Sequence, residues 1–182
     1  MALGRFEHKG YKEAMTGAIR ILGLDPGLAH MGWGVIDLSG SRLIHVAHGV
    51  IATRSAQGLG SRLMELHRVL GGVIAQHRPA AIAVEQAFVH RDPSAALKLG
   101  QARAMALLAA AQAGLEIAEY APNHIKKSVV GAGHAGKEQV QAMVRRLLPA
   151  CGVDQADAAD ALACAIAHAH LSGTRIRMMA MQ

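Results

Sequence analysis

Residues 19–37 read IRILGLDPGLAHMGWGVID, and the fold follows from how this stretch is punctuated. Ile19 to Asp25 is apolar enough for a buried strand, and Pro26-Gly27 ends it at Asp25, because proline lacks a backbone donor and both residues favour turns. Gly32 to Asp37 resumes as a second strand, and Arg42 to Ala52 forms a third after the turn formers Ser39-Gly40-Ser41. Three strands joined by short turns predict an antiparallel meander.

Beyond the meander the period changes. Leu59, Leu63, Leu66, Leu70, Val73 and Ile74 recur at steps of three and four, the stripe of a helix that must stop before Pro79. Ala80 to Gln86 is a buried strand, Asp92-Pro93-Ser94 a cap-like start to an Ala-rich helix reaching about Ala113, and Leu115 to Tyr120 a fifth strand. Val140, Met143, Val144, Leu147 and Leu148 stripe a further helix, and Asp154 opens the last, to about Leu171. Strands leading into alternating helix and strand predict an α/β fold: a mixed five-stranded sheet with helices on both faces, since crossover helices must cover a buried sheet. Residues 1–18 are polar and without period and are expected as a flexible extension, 19–172 as one domain and 173–182 as a C-terminal tail.

With 182 residues and 52% hydrophobic content the chain suffices for a single core. Its 19 Lys+Arg against 13 Asp+Glu give a net charge of +6, which favours an anionic partner such as nucleic acid, although surplus surface lysine gives the same total. Cys151 and Cys164 are the only cysteines, too few for a disulfide ladder, and suit a reducing cytoplasm. No run resembles a signal peptide or a membrane span, so a soluble, cytoplasmic protein is expected.

The acids carry the chemistry. Asp25 ends the first strand, although an Asp that opens a turn also serves local backbone donors. Glu85 stands in the apolar run AIAVEQAFV, where an unpaired charge is expensive, so it requires an arginine, a lysine or a bound cation. Asp157 and Asp160 lie three apart on the last helix, hence on one face, where like charges repel. Capping explains Asp154 and competes for Asp157, but Asp160 lies too deep for it. Alanines 156, 158, 159, 161 and 163 let this helix approach the sheet closely, bringing its acids near Asp25 and Glu85. Four converging carboxylates need divalent cations, and hard oxygen ligands select magnesium or manganese over zinc. Two such ions suit phosphodiester hydrolysis, clamping the attacking and leaving oxygens of an in-line displacement.

The segments LGLDPGLAHMGWGVID, AVEQAFVHRDPSAALKLGQARA, EYAPNHIKKSVVGAGHAGKEQVQ and QADAADALACAIAHAH resemble the RuvC family of crossover-junction endodeoxyribonucleases, from about Arg20 to His170. That resemblance implies an RNase H-like fold and a homodimer placing paired symmetric nicks in a four-way DNA junction (a Holliday junction), in recombination and repair, with a branch-migration complex as a further partner. It maps the family's acidic tetrad onto Asp25, Glu85, Asp157 and Asp160 and implies Mg2+ as cofactor, two ions per site, with Mn2+ able to substitute. It places Lys126 and Lys137 as active-site lysines facing phosphate, and Phe88 as an aromatic that contacts junction bases. Residue type alone suggests solvated lysines and a core phenylalanine at those positions. Arg91, Lys98, Arg103 and Lys127 are further candidates for backbone contact, while His30, His90, His134, His168 and His170 receive no role.

Three other readings compete with this one. The run GAGHAGK, residues 131–137, matches the opening of a phosphate-binding loop, but Glu138 stands where a magnesium-binding hydroxyl belongs. An actin-like ATPase needs two large lobes, for which the chain is too short. A non-catalytic junction-binding module would leave the four acids without chemistry.

Overall fold

The computed structural model describes residues 18–86 and 92–180, with side chains as far as Ser172. Phe88, His90, Arg91 and the extension before Ala18 lie outside the described residues. Five strands, β1 (Ile19–Asp25), β2 (His30–Ser39), β3 (Arg42–Ala52), β4 (Ala81–Glu85) and β5 (Ile117–Tyr120), form one sheet in the order β3-β2-β1-β4-β5. The first three make the expected antiparallel meander, whereas β4 pairs with β1, and β5 with β4, in parallel. Parallel neighbours need crossovers, and helices α1 (Leu59–His77) and α2 (Pro93–Gln112) supply them. The capping expected at Asp92 is present: its carboxylate accepts from the Ser94 and Ala95 amides at 2.9 and 3.2 Å. β2 exceeds the expected Gly32–Asp37, because β1 on one side and β3 on the other give its flanking residues ladder partners out to His30↔Ala52.

Alternation of side chains across each strand produces two cores. Leu22, Leu24, Val35, Ile82 and Val84 meet Leu66 and Leu70 of α1 and Ala102 and Ala106 of α2. Ile21, Ile36 and Ala83 face the other way, toward α3 (Pro122–Val130), α4 (Lys137–Leu147) and α5 (Ala156–Ala180), through Ile125, Val144, Leu162 and Ile166. Helices therefore cover both faces, as the alternation of elements predicts.

Two helices depart from expectation. α3 was not foreseen, because nine residues are too few for a periodic stripe; its punctuation, Pro122 in the first turn and Gly131 at φ 86°, is nonetheless written in the sequence. α5 runs on to Ala180 rather than stopping near Leu171, and so passes through the stretch read as a tail. No proline follows Leu171, and the Ser172 hydroxyl donates back to the His168 carbonyl at 2.6 Å within the helix.

Glycines on the sheet make room for α5. A Cβ at Gly23 would collide with the Ala161 carbonyl, one at Gly32 with the Asp157 carbonyl, and one at Gly34 would lie 2.6 Å from Leu162 Cδ2. The small residues of the helix thus meet equally small residues on the strands, and it is this fit that settles where the helix's acids fall.

Candidate active site

Asp25 and Glu85 are the last residues of β1 and β4, and the residues before them, Leu24 and Val84, are register partners in parallel strands. Both carboxylates therefore leave the sheet at one end. By parity with Gly23 and Ala83 they also stand on the face that α5 covers. The Asp157 backbone lies against Gly32, itself the register partner of Asp25, and Asp160 follows one turn along the helix.

The electrostatics report the same convergence. Asp25 is pushed up to about 7, first by burial and then by the charges of Glu85, Asp160 and Asp157. Glu85 is likewise pushed up to about 7, by burial and then by Asp160. Two cations oppose these shifts: Lys137 at both carboxylates and Lys126 at Glu85. Lys137, the first residue of α4, sets its Nζ 2.8 Å from Asp160 Oδ2, and that bond raises the ammonium above its ordinary range. Six of the seven expected site residues thus share one neighbourhood; the seventh, Phe88, lies outside the described residues. The unforeseen helix α3 is what presents Lys126, half-buried, while Lys127 beside it is exposed.

Neighbouring polar residues have other partners. Arg103 forms an ion pair with Glu119, so its charge is already compensated. His168 is the buried polar side chain of α5 and meets the Tyr120 hydroxyl at 2.9 Å, while His170 Nδ1 lies 3.0 Å from the Ser128 carbonyl. Burial pushes the Cys164 thiol far up, which leaves it without thiolate character beside the acids. A depression lined by Arg20, Asp37, His77 and Arg78 lies at the opposite end of β1, away from this chemistry.

The donor set fits a hard divalent cation, because carboxylate oxygens are its preferred ligands and a bound cation would offset the repulsion that helps push Asp25 and Glu85 up to about 7. Among the described residues no three His, Cys, Asp or Glu side chains are placed closely enough to hold a metal ion together.

Stability should register the repulsion. Because the folded protein holds the Asp25 proton up to about pH 7 while the unfolded chain releases it near its ordinary value of about 4, stability is full below pH 4, falls between 4 and 7, and stays lost above. Asp25→Asn removes this loss. At pH 8 in EDTA the variant is expected to melt roughly 10 °C above the parent, corresponding to on the order of 4 kcal/mol for the rise from about 4 to about 7, with the difference vanishing near pH 4. Equal melting temperatures at pH 8 would show that Asp25 is not under electrostatic strain.

A sheet of this order, with acids at the ends of its first and fourth strands and a covering last helix that carries two more, is an RNase H-like fold with its carboxylates gathered at one end of the sheet. The family model for crossover junction endodeoxyribonuclease RuvC matches residues 21–168. The RuvC of Parvibaculum lavamentivorans is 57% identical over 166 residues, spanning 91% of this chain and 95% of its own. Among solved structures, T. thermophilus RuvC in complex with a Holliday junction substrate matches with a TM-score of 0.79 at 34% identity, over 86% of this chain and 96% of its own. The yeast mitochondrial Holliday junction resolvase Ydc2, 13% identical with a TM-score of 0.61 over 94% of this chain and 89% of its own, shares the fold. The chain belongs to the RuvC family of crossover junction endodeoxyribonucleases.

Proposed function

We propose that this chain resolves four-way DNA junctions by metal-dependent hydrolysis of phosphodiester bonds, in recombination and repair. The observation that carries the reading is the placement of Asp25 and Glu85 at adjacent strand ends, both held up to about 7 by burial and by the acids of α5. Two Mg2+ ions, replaceable by Mn2+, would be held by Asp25, Glu85, Asp157 and Asp160, and would supply an activated water and stabilisation of the leaving oxygen. The protein's own groups do the rest. Lys126, opposite Glu85, offers its ammonium to the scissile phosphate and offsets the negative charge that accumulates there. Lys137 neutralises Asp160 in the free protein, and becomes available to a phosphate oxygen when Asp160 is otherwise engaged. Phe88, three residues beyond Glu85, is the candidate for stacking on an unpaired base.

Paired symmetric cuts require two such sites, hence a homodimer that engages both strands of like polarity at the crossover. A branch-migration complex is the expected companion and the cytoplasm the expected compartment; no helix among the described residues is long and apolar enough to cross a membrane. The test is cleavage of a synthetic four-way junction beside a linear duplex, each with Mg2+ and with EDTA. Symmetric nicks in the junction alone that vanish in EDTA are expected. Tight binding with no cleavage in any divalent metal would instead favour a junction-binding module, and cutting of duplex and junction at equal rates would overturn junction selectivity.

A further inference from the structure

Three of the described arginines are half-buried, and they are treated differently. Arg20 is clamped by Asp37, Nε to Oδ1 at 2.8 Å and Nη2 to Oδ2 at 2.9 Å, and donates its third nitrogen to the His77 carbonyl at 3.1 Å. Arg103 has Glu119. Arg62 has no carboxylate partner among the described residues; its one side-chain hydrogen bond there runs from Nε to the Thr53 hydroxyl at 2.8 Å. A guanidinium carries five donors, so most of its capacity and all of its charge stay uncompensated.

Its location gives that charge a use. β3 runs parallel to β1, both being antiparallel to β2, so Thr53, just past the end of β3, lies at the same end of the sheet as Asp25. The Thr53 hydroxyl donates to the Leu28 carbonyl at 2.6 Å, and its amide to the Ala29 carbonyl at 2.9 Å. Arg62 is therefore two hydrogen bonds from the loop that leaves Asp25. An acidic partner at this position would add to the repulsion already present among the carboxylates and would oppose a polyanion. A guanidinium without a fixed acid is instead free to neutralise the charge of an arriving phosphodiester, and its planar fork matches the two free oxygens.

We infer that Arg62, seated on Thr53 beside the loop that leaves Asp25, binds a backbone phosphate of the DNA strand entering the site. The inference rests on the reading that this chain binds junction DNA. A phosphate contact positions the strand without reading sequence, and it releases condensed counterions. That second property separates it from a mere buttress of the loop.

The experiment measures junction affinity in EDTA across a range of KCl for the parent, Arg62→Ala, Arg62→Lys, Thr53→Val and the control Arg42→Ala, an exposed cation at the opposite end of β3. Failure of the parent itself to bind the junction would fail the underlying reading, and the inference with it. Given parent binding, Arg62→Ala should bind roughly tenfold more weakly, and its slope of log affinity against log salt should be shallower by about 0.9 for each Arg62 that meets a phosphate. Arg62→Lys keeps the charge and should keep most of the slope. Thr53→Val should weaken binding less than Arg62→Ala with the slope retained, and Arg42→Ala should change neither quantity. A parent-like slope in Arg62→Ala, whatever happens to cleavage, would make Arg62 a support for the loop and overturn the phosphate contact.

Discussion

Glu85→Gln is expected to bind a four-way junction within about threefold of the parent while cutting it on the order of 10³-fold more slowly, since the metal-dependent hydrolysis proposed for this site would need hard anionic ligands. Glutamine preserves the shape and the strand-end position but removes the charge. It leaves Asp25, Asp157 and Asp160 to hold cations that the four acids would hold together, and a neutral amide oxygen is the weaker donor. Binding should persist, because junction affinity resides largely in phosphate contacts, and loss of a negative charge from the site cannot oppose a polyanion. The free protein should also lose part of the force that lifts Asp25, since after burial the Glu85 charge acts on it most strongly. Single-turnover cleavage at saturating protein with Mg2+, beside a mobility-shift titration in EDTA, separates the two effects. Cleavage within tenfold of the parent would remove Glu85 from the metal set and leave the function to be carried by the other three acids.

Gly32→Ala, a change of one methyl group far from the surface, should be almost as damaging. Its Cβ would enter the space held by the Asp157 carbonyl and would lie 3.2 Å from the Ala158 amide, both backbone atoms that cannot rotate aside. Relief requires the first turn of α5 to lift from β2, and that turn carries Asp157 and leads directly to Asp160. Overpacking of this kind costs about 2–4 kcal/mol, and a shift of roughly 1 Å in a catalytic constellation costs about 10²-fold in rate. The expected result is a protein melting roughly 5–15 °C lower, with cleavage reduced about a hundredfold even at temperatures where it is fully folded. Gly71→Ala is the matched control: Gly71 lies within α1 and a Cβ there meets nothing within 4 Å, so the substitution should stabilise by about 0.5–1 kcal/mol and leave cleavage alone. Parent-like stability and activity in Gly32→Ala would mean that the helix does not rest on the sheet as closely as described.

Much of this protein was legible before any coordinates. Period-two and period-3.6 patterns, with Pro26-Gly27 and Pro79 as stops, placed all five strands and four of the five described helices, because local backbone preference and burial alternate within a few residues of one another. The acids were legible for the same local reason: Glu85 as a charge in an apolar run, Asp157 and Asp160 as a repelling pair on one helical face. Tertiary structure alone decided what those residues become together. That β4 inserts beside β1, so that Glu85 leaves the sheet next to Asp25, depends on a crossover whose register no single segment encodes. The seating of α5 depends on Gly23, Gly32 and Gly34, and a glycine advertises its purpose only when the opposing backbone is in place. Likewise Lys126 acts on Glu85 from a helix too short to show a period, and Arg62 is exceptional only because Arg20 and Arg103 have acids and it has none among the described residues. Sequence specifies what each element is and which charges it bears; the site itself arises from the distance at which backbones can approach, a property of pairs of segments distant along the chain.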